Sequence, residues 1–270
     1  KQQTAGSGAY KVTKWTAGTE VVMERNDDWV SGPLPKIRRV IWRMVPQAGN
    51  RRALLERGDA DISYELPFQD FQAMKANGKL NVVSLPFSNG IQYIGMNVTK
   101  PPFDNPKVRL ALNYLVPRDE ILKAVYFGTA RPTKSPISEI YPGFTDQYFH
   151  FNSDVAKAKE LLAEAGLKDG FKTELGYRTG DQIEEEIAVI LKSAFAKAGV
   201  DVTLSKLPAS TLVERYTKGE IPMYFFRDMA IVPDAAYVAN LWLNSGSLID
   251  YSKFKNPEVD QLINAGLTSV

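Results

Sequence analysis

The sequence predicts an α/β fold arranged as two lobes. Patterns typical of strands and of helices alternate through both halves of the chain, which is the order found in proteins that layer helices on sheets. The 270 residues are enough for about two domains at roughly 150 residues each. The series helix, Gly, strand, Leu-Pro, helix, Gly occurs twice, around Gly58–Gly78 and around Gly199–Gly219, which favours two lobes of similar construction.

Short strands open the first half, and helices and strands then alternate. Residues 10–15 and 20–25 are predicted as two strands joined by a turn at Ala17-Gly18. A Pro/Gly loop leads to a third strand over 37–45, with Val40, Trp42 and Met44 on one face. The remaining predicted elements of this half are helices over 50–57 and 67–78, ended by Gly58 and Gly78, and strands over 60–66 and 81–85.

Three helices are predicted between the two halves. Pro106 is typical of a first helical position, and Pro117 opens a second helix that Gly128 ends. Ser153 is predicted to cap the third helix. Residues 129–150 are rich in proline and are predicted to be an irregular surface excursion.

The second half repeats the rhythm of the first. Apolar residues recur every three or four positions along one helix, which is predicted to stop at Gly199. The members of this apolar stripe are Ile183, Ile187, Ile190, Leu191, Ala194, Phe195 and Ala198. Strands are predicted over 171–178, 200–207 and 221–226, and a further helix over 209–219.

Composition excludes several classes of function. The formal net charge is +2 and the basic residues are dispersed, so no nucleic-acid surface is predicted. There are no cysteines and one histidine, His150, which removes thiolate and multi-histidine metal sites, and no cofactor is predicted. No apolar run reaches the ~20 residues needed to cross a membrane. The chain starts with neither Met nor an apolar signal core, and it is therefore expected to be the middle of a longer chain.

Two charged residues directly follow the apolar strand over 221–226. Arg227 and Asp228 alternate along an extended chain and are expected on opposite faces of the sheet. A charge at the end of a buried strand needs a partner within the protein or a ligand. Arg227 could bind a carboxylate or phosphate through two parallel hydrogen bonds. The sequence leaves both interpretations open.

Several stretches, taken together and in order, resemble the extracytoplasmic solute-binding proteins of ABC importers in the peptide/nickel class, family 5. Asp28 departs from the family pattern, which usually has an aromatic residue there, and Val116-Pro117 replaces a frequent Ile-Asp. The matching stretches are "GSGAYKVTKW", "ERNDDWVSGPLPKIRRVIWRMV", "ALLERGDADI", "NVTKPPFDNPKVRLALNYLVPRDEIL" and "SDVAKAKELLAEAGLKDGF".

The resemblance implies the two-lobed, class II periplasmic-binding-protein-like fold, with its N-terminal portion missing from this chain. Residues 1–103 are expected to form part of lobe I, with a segment crossing the hinge near 95–104. Residues 104–270 are expected to form most of lobe II, truncated within its C-terminal helix. Tyr93 and Asn97 are expected to have a structural role at the hinge.

The resemblance also places the ligand site. In the family the strand end reads Trp-x-Ala-Asp-x-Pro-Asp, and its first Asp pairs with the α-ammonium of a peptide. Alignment on Pro233 and Asp234 puts Ile231 at that position and Asp228 at the position of Trp. We therefore expect a ligand other than an ordinary free-amino peptide, or an acid such as Asp228 that binds the ammonium from a different angle. The candidate ligand-binding residues are Arg227, Asp228, Met229, Ala230, Ile231, Tyr177 and Arg178.

The implied function is capture of a peptide-like or other small solute in an inter-lobe cleft, followed by delivery to the membrane permease of an ABC importer. The protein is expected to be exported, periplasmic or otherwise extracytoplasmic, monomeric and not an enzyme. One alternative is a glycosidase-like hydrolase, which would need two carboxylates converging in the cleft at about 5–10 Å. The other is a peptide receptor without a transport role, which the sequence does not separate from a transport receptor.

Overall fold

The computed structural model describes residues 6–64, 66–83, 90–229, 231–232 and 234–268. By its internal contacts the chain divides into two compact units, Lys1–Leu66 and Pro67–Val270. This division falls earlier than the boundary at 103/104 that separates the predicted lobe segments. The assignment of segments to lobes of a larger protein stays a prediction.

The first unit contains a three-stranded antiparallel sheet in the order β1-β2-β3. The predicted turn at Ala17-Gly18 is confirmed, and Gly18 takes the left-handed backbone conformation that such a turn requires. Gly58 ends the helix as predicted, with φ at 77°. The elements are β1 (Tyr10–Thr16), β2 (Glu20–Arg25), β3 (Arg39–Arg43) and α1 (Ala48–Arg57).

Two predicted strands are not formed. Residues 60–64 and Leu66 are irregular, so the strand predicted over 60–66 is wrong for every described residue of it. Residues 81–83 are also irregular, and the rest of the strand predicted over 81–85 lies outside the described residues. Alternation of apolar side chains favours a strand locally, but a strand also needs a neighbour that takes up its backbone hydrogen bonds.

The second unit alternates helices and strands. Its elements are α2 (Phe68–Asn77), β4 (Gly90–Met96), α3 (Pro106–Leu115), α4 (Arg118–Ala124), α5 (Val155–Glu164), β5 (Phe171–Arg178), α6 (Gln182–Ala196), β6 (Val200–Leu207), α7 (Ala209–Thr217), β7 (Met223–Met229), α8 (Ala235–Leu243) and α9 (Pro257–Thr268). Among the described residues no helix combines the length and the apolar character needed to span a membrane.

These strands form one mixed sheet in the order β4-β7-β5-β6. β5 is parallel to both β6 and β7, while β4 joins the edge of the sheet antiparallel to β7. α6 connects β5 to β6 and α7 connects β6 to β7, as parallel strands require. Since β5, β6 and β7 run in the same direction, their carboxyl ends lie at one edge of the sheet.

The sheet buries side chains on both faces. One face, with Leu175, Met223 and Phe225, shares the main core with α3, α5 and α6. The other face packs Tyr224 against Leu212 and Tyr216 of α7. Gly95 of β4 lies directly against the ring of Tyr224, and a Cβ atom there would overlap that ring.

Helix ends agree with the sequence patterns in most places. The Asn105 side chain caps α3 by accepting a hydrogen bond from the Lys107 amide at 2.9 Å, with Pro106 at the first helical position. The prediction that Ser153 caps α5 is wrong: Asp154 does so, accepting from the Lys157 amide at 2.9 Å. α4 ends at Ala124, short of the predicted stop at Gly128.

Candidate functional site

Ion pairs join the carboxyl ends of β5 and β7. Arg227 of β7 donates to a carboxylate oxygen of Asp181, and Arg178 of β5 donates to the same oxygen at 3.2 Å. Arg178 also bonds Glu184 through its Nε at 2.9 Å. Two guanidinium groups and two carboxylates therefore form one network without net charge. We call Arg178, Asp181, Glu184 and Arg227 the strand-end network.

The first turn of α6 supplies both carboxylates. Asp181 caps the helix, accepting from the Glu184 amide at 3.1 Å. The Glu184 side chain is completely buried and also accepts from the backbone amide of Arg178 at 2.8 Å. A buried carboxylate is stable in such a place only when it is paired and hydrogen-bonded, and Glu184 is both. The network thus fixes the end of β5 to the start of α6.

A polar pair lies next to Arg227. Gln92 of β4 is in register with Arg227, and its Oε1 accepts a hydrogen bond from the Tyr126 hydroxyl at 2.6 Å. Burial raises the pKa of Tyr126 to about 12, although the charge of Arg227 acts in the opposite direction. The hydroxyl is therefore a neutral donor at physiological pH. The Gln92 Nε2 is buried and has no hydrogen-bond partner among the described residues.

Asp228 lies on the other face of β7. Its Oδ2 accepts from the indole Nε1 of Trp242 in α8 at 2.6 Å, and its Oδ1 accepts from the Met229 amide at 2.7 Å. The expectation that Arg227 and Asp228 point to opposite faces is confirmed by these separate partners. Both residues have partners within the protein, which is one of the two interpretations left open by the sequence.

The other predicted ligand-binding residues lie in different environments. Arg178 belongs to the strand-end network. Met229 and Ile231 are exposed, Ile231 at 82%. Ala230 lies outside the described residues. Tyr177 is 6% exposed and packs in the main core, so its side chain is not presented to solvent; its role in binding stays a prediction.

The two predicted hinge residues have different surroundings. Asn97 is buried, and its amide nitrogen donates to the Gly219 carbonyl at 3.2 Å while its Oδ1 accepts from Thr99. Tyr93 packs against Phe226, with ring centroids 5.5 Å apart. Both therefore hold β4 in the sheet, and their role in a hinge stays a prediction.

Four important side chains of this region were not found from the sequence: Asp181, Glu184, Tyr126 and Trp242. Asp181 stands immediately before the amphipathic helix, which is a recognisable capping position. Nothing in the sequence indicates that it reaches Arg227, which is 46 positions away.

Among the described residues no group of three or more histidine, aspartate or glutamate side chains is arranged to hold a metal ion.

Comparison with known proteins identifies the family. Residues 1–248 match the family model described as bacterial extracellular solute-binding proteins, family 5 Middle. The chain therefore belongs to family 5 of the bacterial extracellular solute-binding proteins, as the sequence motifs predict.

The chain is also similar to proteins that are named as binding proteins. The chain is 35% identical to the glutathione-binding protein GsiB of Pectobacterium atrosepticum over 76% of this chain and 39% of that protein. It is 29% identical to the probable D,D-dipeptide-binding periplasmic protein DdpA of Escherichia coli over 99% of this chain and 52% of that protein. The chain thus spans about half or less of the length of these relatives.

Solved structures confirm the fold. The oligopeptide-binding protein AppA of Bacillus subtilis, solved with a nonapeptide, superposes with a TM-score of 0.82 at 26% identity. The match covers 97% of this chain and 55% of AppA. The predicted fold class, α/β of the periplasmic-binding-protein type, is therefore confirmed.

Proposed function

We propose that this chain is part of the solute-binding component of an ABC importer, which captures a peptide-like or other small solute and delivers it to a membrane permease. The observation that supports the proposal is the convergence of polar side chains at the carboxyl ends of β5 and β7. Open α/β sheets hold their ligands at this edge. The similar proteins are named as a glutathione-binding protein, a probable D,D-dipeptide-binding protein and an oligopeptide-binding protein, and these names favour a peptide-like solute.

The solute is proposed to contact the end of β7 and the residues that follow it. Arg227 is the first candidate because its side chain remains 32% exposed despite its bond to Asp181. Exposed Met229 and Ile231 supply apolar contact, and Ala230 lies between them in the chain. Tyr177 and Arg178 are proposed to support the same edge from β5.

The arrangement of the carboxylates at this site suits a binding protein and not a catalytic one. Asp181 and Glu184 meet at one nitrogen of Arg178, which makes them a close carboxylate pair. A glycosidase pair must reach the substrate from both sides of the scissile bond. Glu184 has no exposed surface and its oxygens are bonded to Arg178, so this pair is structural. The observation favours a binding protein over a hydrolase.

Calorimetric titration of the whole protein tests the proposal. The titrants are dipeptides, tripeptides and glutathione. Mass spectrometry after incubation with the protein shows whether each titrant is intact or cleaved. We expect saturable binding of at least one titrant, recovered intact. Cleavage of a bound titrant would favour the hydrolase, and absence of binding across the panel would contradict a peptide-like solute.

A matched pair of variants tests the place of the site. Arg227→Ala is expected to weaken binding of the active titrant about 10-fold or more, because a charge-assisted contact is lost. Arg131→Ala removes an exposed arginine that pairs with Glu139, and it should leave binding unchanged. Equal affinities for the two variants would place the solute elsewhere.

Export, the permease partner and the monomeric state are part of the same proposal. Cell fractionation should recover the protein outside the cytoplasm, and light scattering should give the mass of one chain. Uptake of the solute into vesicles that contain the permease should require the protein. If the protein bound the solute but uptake did not require the protein, the result would favour a receptor without a transport role.

A further inference from the structure

The three-stranded sheet of the first unit has one charged face and one apolar face. Residues directly opposite each other on neighbouring strands share a face, so the register of β1, β2 and β3 assigns each side chain to a side. The charged side chains lie together on one face: Lys11, Lys14, Glu20, Glu24, Arg39 and Arg43. The other face is formed by two apolar rows, one of Trp15, Val21 and Trp42 and one of Val12, Met23 and Val40. We call these six residues the apolar sheet face.

A β-bulge in β1 places Trp15 on the apolar sheet face. The register of β1 against β2 shifts between Val12 and Lys14, where two steps along β1 correspond to one step along β2. In a regular strand Val12 and Trp15, three positions apart, would point to opposite faces. The bulge therefore adds a second tryptophan to a face that already carries Trp42.

The apolar sheet face is open to solvent in this chain. Trp15 is 61% exposed and Trp42 is 54% exposed, and Val12 is exposed as well. Tyr64, which follows α1, lies beside Trp42 with ring centroids 6.1 Å apart and is itself exposed. An antiparallel sheet with one polar and one apolar face normally packs the apolar face on a core. Contiguous exposed side chains of this size and type mark an interaction surface.

We propose that a segment of the whole protein outside residues 1–270 covers the apolar sheet face and completes the hydrophobic core of this unit. The match to AppA covers 55% of that protein and the match to DdpA covers 52%, so similar proteins contain nearly as much polypeptide again. That additional polypeptide is long enough to supply the missing cover. The inference goes beyond solute capture and does not depend on which solute is bound.

The chemistry of the face favours permanent burial over a contact that forms and dissociates. All six of its side chains are apolar, and two of them are tryptophans. Transient interfaces are about as apolar as the rest of a protein surface, whereas permanent ones resemble a domain core. A permease that receives a solute must release the binding protein after each delivery, so its docking surface must also be stable in water. A segment of the same protein meets no such requirement.

Hydroxyl-radical footprinting of the whole protein tests the inference without a variant. Mass spectrometry measures the oxidation of each tryptophan in the native and in the urea-unfolded protein, with the radical dose matched by a reporter dye. We expect the native fold to protect Trp15 and Trp42 at least 10-fold, without solute or permease present. If the face were open, their exposures predict less than about 2-fold protection, and that result would overturn the inference.

Concentration and added permease separate the candidate occupants. Protection that is the same at every concentration at which light scattering gives the mass of one chain supports a covering segment of the same molecule. Protection that appears only as the protein dimerises would assign the face to a second copy. Protection that appears only with vesicles containing the permease would assign it to the permease. Either of these two results would overturn the inference while leaving solute capture intact.

A photo-cross-linker identifies the covering segment. Trp42→p-benzoylphenylalanine places a reactive ketone on the apolar sheet face, and Ile41→p-benzoylphenylalanine places it on the charged face of the same strand as the control. We expect the first variant to form a cross-link to a peptide of the same molecule outside residues 1–270, and the control to form much less of it. A mixture of ¹⁵N-labelled and unlabelled protein separates cross-links within one molecule from those between two.

Three outcomes of the cross-linking would contradict the proposed cover. They are a product confined to residues 1–270, a product that joins two molecules, and equal yields from the two variants. The footprint of the native protein decides the question if the bulky ketone prevents folding.

Discussion

One buried carboxylate, Glu184, holds the strand-end network together. Glu184→Gln removes its charge and leaves Arg178 with a weaker partner inside the fold. Breaking a buried pair costs about 3–5 kcal/mol, and the partial exposure of Arg178 places the expected loss near the lower end, about 3 kcal/mol. The measurement is the free energy of unfolding in urea.

The matched control is Glu214→Gln on α7. Glu214 pairs with Lys218 one turn away, but both side chains are more than half exposed. Exposed pairs of this kind contribute little to stability, so the control should be nearly neutral. Similar losses in the two variants would show that Arg178 is satisfied without Glu184.

Gly95 is required because the Tyr224 ring occupies the space of its missing side chain. Gly95→Ala must displace that buried ring or bend β4, and overpacking of this kind costs about 1–3 kcal/mol. Gly49→Ala makes the same substitution in the first turn of α1, where nothing lies within 4 Å of the new methyl group. The control is expected to stabilise the helix by up to about 1 kcal/mol. Urea unfolding should therefore show opposite signs, and a neutral Gly95→Ala would contradict the close packing.

At the scale of elements, local patterns predicted the helices better than the strands. α3, α5 and α6 carry apolar stripes, proline starts or glycine stops within their own sequence, and all three were predicted. β4 was missed because its strand character depends on pairing with β7, more than 100 positions later. α8 was missed as well: nearly every residue in "AAYVANLWL" is apolar, so no polar face marks it as a helix.

The candidate site shows the same division between local and distant information. The charge at Arg227 and Asp228 is visible as a break in an apolar run. The partners of these two residues are not visible in the sequence, because Asp181 precedes Arg227 by 46 positions and Trp242 follows Asp228 by 14. Only the folded sheet brings the ends of β5 and β7 together, and one sequence contains no record of that proximity.

The N-terminal cap of α5 can be tested directly, because the sequence predicted Ser153 and the structure has Asp154 in that role. Asp154→Ala removes the acceptor for the Lys157 amide and should cost about 1 kcal/mol. Ser153→Ala removes the hydroxyl that the sequence pattern favoured and should be neutral. Urea unfolding of both variants measures the difference. The reverse order of effects would show that Ser153 caps the helix after all.

At the scale of the whole molecule, buried tyrosines tie stability to pH. Burial raises the pKa values of Tyr93, Tyr126, Tyr216 and Tyr224 above the ordinary value of 10, and that of Tyr216 to about 12. In the unfolded chain these hydroxyls lose their protons near pH 10, whereas in the folded protein they retain them. The folded state therefore binds more protons, and stability must fall as the pH rises from 10 towards 12.

Urea unfolding between pH 8 and pH 11.5 measures this loss, and absorbance at 295 nm follows tyrosine ionisation in the same samples. Each tyrosine with a raised pKa lowers the free energy of unfolding by up to about 1.4 kcal/mol per pH unit above pH 10. Tyr216→Phe should remove one such contribution. Tyr148→Phe alters a side chain that is 77% exposed and should leave the slope unchanged. If both variants kept the native slope, the alkaline loss of stability would have to come from other groups, since Tyr216 would then ionise equally in both states.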